Sequence, residues 1–307
     1  MIFFYCRDTD DLVNNVIDFL DEDFVRIGEK DFVSINEMNF NRDNHSVKIS
    51  SDYNQSIDLQ NINFLWCYGG VINVDGNPYV NECSLLLVES YFNNKNVKKL
   101  GRPIKKTDLT KLSLHLEAEK QGLLVPNTLI TCDKFKLLSF FNTHKDNGVI
   151  CKRILDTPFY ETEEYCYDFT STFSIDSDDF DNIPEQFGLS LFQERIIADF
   201  EIRVIFIDNT FFAMSVHLFE NLLDYRSRLS SKKNIRLVPF KLPSIIEDKL
   251  RAVFKKSELN FGSADLMFAD NQYYFLEVNP IGKVGFANTA CNFYIEKYIS
   301  ELMKHER

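Results

Sequence analysis

Apolar residues along this chain fall into short unbroken runs and into helical spacings, and the two rhythms predict strands and helices respectively. The run Ile2-Phe3-Phe4-Tyr5-Cys6 predicts a first strand at 2–6, followed by helices near 10–21 and 80–93, so residues 1–95 read as a small α/β unit. Residues 94–106 are basic and contain Gly101 and Pro103, which predicts a linker. A helix is expected at 108–121, with Leu109, Leu112, Leu116 and the Ala118 side as its apolar face and Gly122 as its stop. Strands follow near 127–131, 148–154, 165–174 and 190–197. Two more, at 201–208 and 211–217, meet across Asp208-Asn209-Thr210 as a hairpin. Ser244-Ile245-Ile246-Glu247, just after Pro243, has the capping-box pattern and opens a helix to about 257. A hairpin over 263–278 and a helix near 289–303 close the chain. Interleaved strands and helices define an α/β class, or α+β in layers. The 307 residues exceed one small core, and the expected units are 1–95, 96–190 and 191–307.

Composition narrows the function. Hydrophobic residues are 45% and charged residues 26%, as in ordinary soluble domains. A formal net charge of -12 argues against non-specific binding to nucleic acid or anionic membrane, so an anionic ligand needs a local basic pocket. No 18-residue apolar run exists, and the N-terminus lacks the basic start of a signal peptide. The seven cysteines, Cys6, Cys67, Cys83, Cys132, Cys151, Cys166 and Cys291, form no C-x-x-C pair, which fits thiols in a reducing cytoplasm. Five histidines in no H-E-x-x-H arrangement argue against zinc.

The stretch from Gly262 to Pro280 carries the most chemistry. Two apolar strands flank Asp270-Asn271-Gln272. Glu277 and Asn279 are two apart and share a strand face, and Asp265 lies on the partner strand. A three-residue loop at 270–272 sets Asp265 opposite Glu277, and the three side chains then converge. A two-residue loop would set Asp265 opposite Leu276 and spoil the site, so the chemistry favours the odd loop. Two carboxylates and an amide oxygen are hard donors that suit Mg²⁺ and leave positions for phosphate oxygens. The plainer alternative is a hairpin with a solvated polar face.

Asp265, Glu277, Asn279 and Pro280 in this spacing resemble the end of the ATP-grasp fold. The resemblance implies an N-terminal, a central and a C-terminal domain, with Asp265, Glu277 and Asn279 holding two Mg²⁺ that bridge the phosphates of ATP. Further matches follow in the family's order. Lys111, in Asp108-Leu109-Thr110-Lys111-Leu112, resembles the first-helix lysine that reaches the phosphates, and Lys152, after Val149-Ile150-Cys151, resembles the strand lysine between phosphate and adenine. Gln193-Glu194-Arg195-Ile196 resembles the hinge whose backbone and acidic side chain hold adenine. Glu201-Ile202-Arg203-Val204 resembles the segment whose acid meets the ribose, and Arg226, in Asp224-Tyr225-Arg226, resembles the arginine at the terminal phosphate. Arg203 is the candidate for stabilising acyl-phosphate oxygens. No general base is evident.

The runs Leu237-Val238-Pro239-Phe240-Lys241-Leu242-Pro243, Phe275–Lys283 and Cys291-Asn292-Phe293-Tyr294-Ile295-Glu296-Lys297 are similar to the ATP-grasp peptide maturases of grasp-with-spasm systems, relatives of the graspetide (microviridin-type) synthetases. The resemblance spans about residue 60 to the end. It implies an enzyme that activates side-chain carboxylates of a ribosomal precursor peptide, leader plus core, and forms ester or amide cross-links; a homodimer is left open. The chain departs from those maturases at Trp66-Cys67-Tyr68-Gly69-Gly70, which lacks their paired arginines, and at 153–166, which lacks glycine. A ligase adding free amino acids would share every nucleotide residue. A non-catalytic scaffold would have no need of Asp265, Glu277 and Asn279.

Overall fold

The computed structural model describes residues 1–307 apart from 8–9, 29, 43–44, 53, 71–73, 75–76, 103–109, 155–158, 163, 165, 169–171, 219–234 and 305–307. The first apolar run forms β1 (Ile2–Cys6). Helix α1 (Asp11–Ile17) starts where the Asp10 carboxylate accepts the Leu12 N–H at 2.9 Å. It stops short of the expected residue 21, where Asp18 and Asp21-Glu22-Asp23 would set negative charge against the helix C-terminus. Strands β2 (Phe24–Ile27), β3 (Val33–Phe40), β4 (His45–Ser51), β5 (Asn54–Asp58) and β6 (Phe64–Tyr68) precede α2 (Pro78–Asn94) and β7 (Lys98–Leu100). One sheet has the order β2-β1-β6-β7 and is parallel; β3-β4-β5 is an antiparallel layer. Phe3, Tyr5 and Leu65 pack with Val47, Ile49 and Ile57, and with Val88 and Phe92 of α2.

The expected linker is therefore corrected. β7 lies within it and pairs with β6, Leu100 is buried, and Asn260 ties the segment down by accepting from the Gly101 N–H at 2.9 Å and donating to the Lys99 carbonyl at 2.6 Å. The lysines that suggest a solvated run belong to an edge strand, where such charges are at home.

Helix α3 (Lys111–Lys120) is followed by β8 (Thr128–Asp133), α4 (Lys134–Thr143), β9 (Val149–Lys152), the pair β10 (Phe159–Glu161) and β11 (Cys166–Asp168), β12 (Phe173–Ile175) and β13 (Gln186–Glu194). The central sheet has the order β12-β9-β13-β8. The single strand expected at 165–174 is thus two strands in different sheets, and the boundary expected between 190 and 191 falls inside β13, which belongs wholly with β8 and β9. On α3 the buried face is Leu114, His115 and Ala118, whereas Leu112 and Leu116 are each 49% exposed. The apolar stripe read from the leucines is therefore the wrong face, because the packing surface accepts a histidine.

The third sheet, β16-β15-β14-β17-β18, is built from β14 (Phe200–Ile207), β15 (Thr210–Leu218), β16 (Ile235–Phe240), β17 (Phe261–Ala269) and β18 (Gln272–Asn279). Even-numbered residues of β14, Ile202, Val204 and Phe206, pack on α3 and on α5 (Ser244–Lys256). Odd-numbered Ile205 and Ile207 face the N-terminal sheet together with α6 (Gly285–Cys291) and α7 (Ile295–Lys304). The same odd face carries Glu201 and Arg203 further up the strand, so one face is half core and half site. Pro243, not Ser244, caps α5: its carbonyl accepts from the Ile246 and Glu247 N–H groups, and no side-chain cap forms. The helix expected at 289–303 is two helices, broken at Asn292 and Tyr294, whose φ values are 51° and 54°. Among the described residues no helix is long and apolar enough to cross a membrane.

Candidate functional site

The β17–β18 hairpin turns through two residues, Asp270 and Asn271, with Ala269 opposite Gln272. Their φ values of 50° and 59° are the left-handed pair that a tight hairpin turn requires and that Asp and Asn tolerate. The three-residue loop expected from the sequence is therefore wrong, yet Asp265 does stand opposite Glu277. The ladder runs regularly to Leu266 opposite Phe275, and then a β-bulge at Leu276 shifts it by one residue. In a regular strand Phe275 and Glu277 would share a face. The bulge separates them: Phe275 enters the core under α3, and Glu277 joins Asp265 and Asn279 above.

Around this register the side chains interlock. Arg203 is the cross-strand neighbour of Asp265 on β14; its Nη1 donates to Asp265 Oδ1 at 2.6 Å and its Nη2 to the Gly282 carbonyl at 2.6 Å. The Ser263 hydroxyl donates to the same carbonyl at 2.7 Å. Gly282 has φ 84°, and a Cβ there would meet Val284 and Phe261 at 3.1 and 3.2 Å, so this turn needs glycine. Asn279 Nδ2 donates to Asp265 Oδ2 at 3.4 Å. Lys111, the first residue of α3, lies 3.5 Å from Glu277 Oε2. A cation at a helix N-terminus opposes the macrodipole, and the Glu277 carboxylate offsets that cost.

Beside these residues opens a cleft of about 380 Å³ between the central sheet and the β14–β18 sheet. Lys152, Gln193, Glu194, Arg195, Ile196 and Glu201 all line it, together with Leu276 of the bulge. Gln193 and Lys152 sit on the cleft face of their sheet, and Gln193 is fixed by donating to Thr128 Oγ1 at 3.0 Å. Glu194 differs from expectation. Strand alternation turns its carboxylate to the opposite face, where it accepts from Asn127 N and Nδ2 at 3.0 Å each and lies 3.1 Å from His144 Nδ1. What the chain offers the cleft at Glu194 is backbone, and the Arg195 N–H is tied to the Gly148 carbonyl at 2.9 Å. Arg226 lies outside the described residues.

His115, which carried no sequence signal of its own, is buried beneath the bulge. Its Nε2 donates to the Leu276 carbonyl at 2.6 Å, and its ring meets Phe275 edge-on. Burial holds its pKa below the usual histidine value, assisted by the positive charges of Lys152 and Lys111 and opposed by the Leu276 hydrogen bond and Glu277. Its spacing of four residues from Lys111, on one helical face, is the only hint the sequence offers.

No group of three His, Cys, Asp or Glu side chains that could hold a metal ion occurs among the described residues. The donor set is two carboxylates and an amide, which fits Mg²⁺ completed by phosphate oxygens and water. Asp265 and Glu277 are each set against a cation, Arg203 and Lys111.

This sheet arrangement, with its cleft between two lobes, is the ATP-grasp fold. Over its full length the chain is similar to the macrocyclase MdnC of Microcystis aeruginosa, solved bound with precursor peptide MdnA, at TM-score 0.80, 20% identity and 100% coverage of both chains. It is equally similar to a RiPP-associated ATP-grasp ligase of Chryseobacterium gregarium, solved with ADP and a leader and core peptide, at TM-score 0.81, 16% identity and coverage of 100% and 97%. A D-Ala:D-Ser ligase of Enterococcus faecalis shares the fold more distantly, at TM-score 0.54, 12% identity and coverage of 94% and 91%. No family model and no curated protein matches the chain.

Proposed function

We propose that the chain is an ATP-dependent ligase that activates side-chain carboxylates of a ribosomal precursor peptide as acyl phosphates and joins them to hydroxyl or amine side chains of the same peptide. The observation that carries this reading is the convergence of Asp265, Glu277 and Asn279 beside a cleft lined by Lys152 and the Gln193–Ile196 hinge. Its support is the full-length likeness to two ligases solved with precursor peptides, one of them with ADP. Two Mg²⁺ bound by Asp265, Glu277 and Asn279 would neutralise charge on the β- and γ-phosphates. Lys111 and Lys152 hold the phosphates, the hinge backbone reads adenine, and Glu201 faces the ribose. Arg203 stands where negative charge develops on the acyl phosphate; its Nε is buried with no hydrogen-bond partner among the described residues. The peptide carboxylate oxygen attacks the γ-phosphorus and ADP leaves; a hydroxyl or amine then attacks the acyl carbon, loses its proton and expels phosphate. A second group on the same bound peptide outcompetes free amines through its high effective concentration.

The more distant likeness to a D-Ala:D-Ser ligase favours a second reading, addition of a free amino acid. One experiment separates them: incubation with the small peptide encoded nearest to this gene, followed by mass spectrometry and nucleotide analysis. Condensation within one peptide lowers its mass by about 18 units per link and yields ADP and phosphate. A mass gain equal to an amino acid moves the assignment to the second reading, and AMP as product rules out the acyl-phosphate route.

A further inference from the structure

We infer that His115 is a positioning residue: by donating a hydrogen bond to the Leu276 carbonyl it clamps the β-bulge that keeps Glu277 opposite Asp265. The inference rests on the reading of these carboxylates as a metal site.

The argument begins with the edge. Among the described residues β18 is the outermost strand of its sheet, so the outward-facing backbone groups of Phe275 and Leu276 find no strand beyond them. Both are met by the α3 unit instead. The Phe275 N–H donates to the Leu124 carbonyl at 2.7 Å, and the Leu276 carbonyl accepts from His115 at 2.6 Å. A carbonyl only accepts, so the hydrogen sits on Nε2 and the tautomer is fixed. One helical turn away Lys111 pairs with Glu277, so α3 and its C-terminal extension hold three successive residues of β18.

Holding is needed because the two-residue turn specifies another register. Continued regularly from Leu266 opposite Phe275, the ladder would set Asp265 against Leu276 and turn Glu277 towards the core. That alternative sets a carboxylate against the core beside Phe275 but costs no bulge. An unpaired buried carbonyl at Leu276 would favour it, because a lost buried hydrogen bond is expensive. The His115 bond removes that penalty in the bulged register alone. A side chain that merely filled space against Phe275 would have no reason to be polar in a cluster of Leu114, Ala118, Leu250 and Phe275.

The test compares wild type, His115→Phe, His115→Leu and His115→Gln, in which the glutamine amide can still donate to the carbonyl. Two readouts are taken: hydrogen–deuterium exchange over residues 272–279 without metal, and Mn²⁺ binding to the ADP-loaded protein by electron paramagnetic resonance. His115→Phe and His115→Leu are expected to exchange faster over this segment and to need about 10- to 100-fold more Mn²⁺ for half-saturation, as for loss of a group that orients metal ligands. His115→Gln is expected to restore both towards wild type, which a merely structural role would not produce. Wild-type exchange in the Phe and Leu variants, unchanged Mn²⁺ demand, or failure of Gln to restore either readout overturns the inference. If wild type itself binds no Mn²⁺ while the exchange pattern holds, the clamp stands and the metal-site reading falls.

Discussion

The β14–β15 and β17–β18 hairpins lie in one sheet and turn through two-residue loops, Asp208-Asn209 and Asp270-Asn271, whose four φ values are all left-handed. The first keeps one register from Ile207 opposite Thr210 to Glu201 opposite Val216. Its alternation sends Ile202, Val204 and Phe206 to one core and Ile205 and Ile207 to the other. The second breaks step at Leu276 and so places a core phenylalanine and a site glutamate two residues apart on opposite faces. The turn sets where pairing starts, and the bulge decides which side chain stands opposite Asp265. Bulges concentrate beside functional sites for this reason.

Deletions break the comparison most severely. Removing Met214 from the regular hairpin turns Ser215 to Leu218 to the wrong faces and empties the positions of Met214 and Val216, both fully buried. That variant is expected not to fold. Removing Leu276 takes out only the extra residue and leaves Glu277 opposite Asp265, at a cost of about 2 kcal/mol for the lost side chain and His115 bond. Circular dichroism melts of the two variants check the difference. Equal loss of fold would contradict the description of Leu276 as the inserted residue.

Next in size are the carboxylates of the proposed metal site. Asp265→Ala and Glu277→Ala are each expected to lower turnover roughly a thousandfold, since several kcal/mol of charge stabilisation is lost. Their stabilities separate them. Arg203 and Asp265 have side chains only 4% and 11% exposed, so Asp265→Ala strands a buried guanidinium and costs about 3–5 kcal/mol. Lys111 and Glu277 are more open, at 16% and 22%, and Glu277→Ala costs much less. Urea unfolding alongside a phosphate-release assay measures both.

How much of this was legible follows from what each feature depends on. β1, α2 and the two hairpins were readable, because each rests on local periodicity, and the fixed spacing of Asp265 and Glu277 already set them opposite one another. The bulge was not: the residues around Asp270 are compatible with either loop length, and the shift at Leu276 is met by His115 and Leu124 from outside the hairpin. The face of α3 was misread because Leu112 and Leu116 look like core while His115 looks like surface. The Glu194 carboxylate was misplaced because its face depends on the phase of β13, which Phe192 packing against Leu137 and Val149 sets. β7 was hidden by its lysines.

Smaller effects sharpen the picture. Lys152→Ala is expected to reduce the thermal stabilisation given by Mg·ADP, whereas Lys120→Ala, 72% exposed on the far side of α3, leaves it intact. Equal shifts in the two variants would remove Lys152 from the nucleotide site. The smallest effect concerns pH. His115 has a folded pKa below its ordinary value of 6.5, so the folded state prefers the neutral ring and the unfolded chain binds more protons in mild acid. Its contribution is therefore constant above 6.5 and is lost as pH falls below that value towards the lowered folded pKa. His115→Gln should flatten the fall of Tm on acidification through this window; an unchanged slope would show that His115 is not held neutral.

The most direct measurement of the central claim is calorimetric titration of ADP into wild type and Glu277→Ala, with and without Mg²⁺. A cleft whose nucleotide is held partly through metal on Asp265, Glu277 and Asn279 predicts tighter ADP binding with Mg²⁺ in wild type, loss of that gain in Glu277→Ala, and similar metal-free binding in both. Identical affinity with and without Mg²⁺ in wild type, or an undiminished gain in Glu277→Ala, would contradict it.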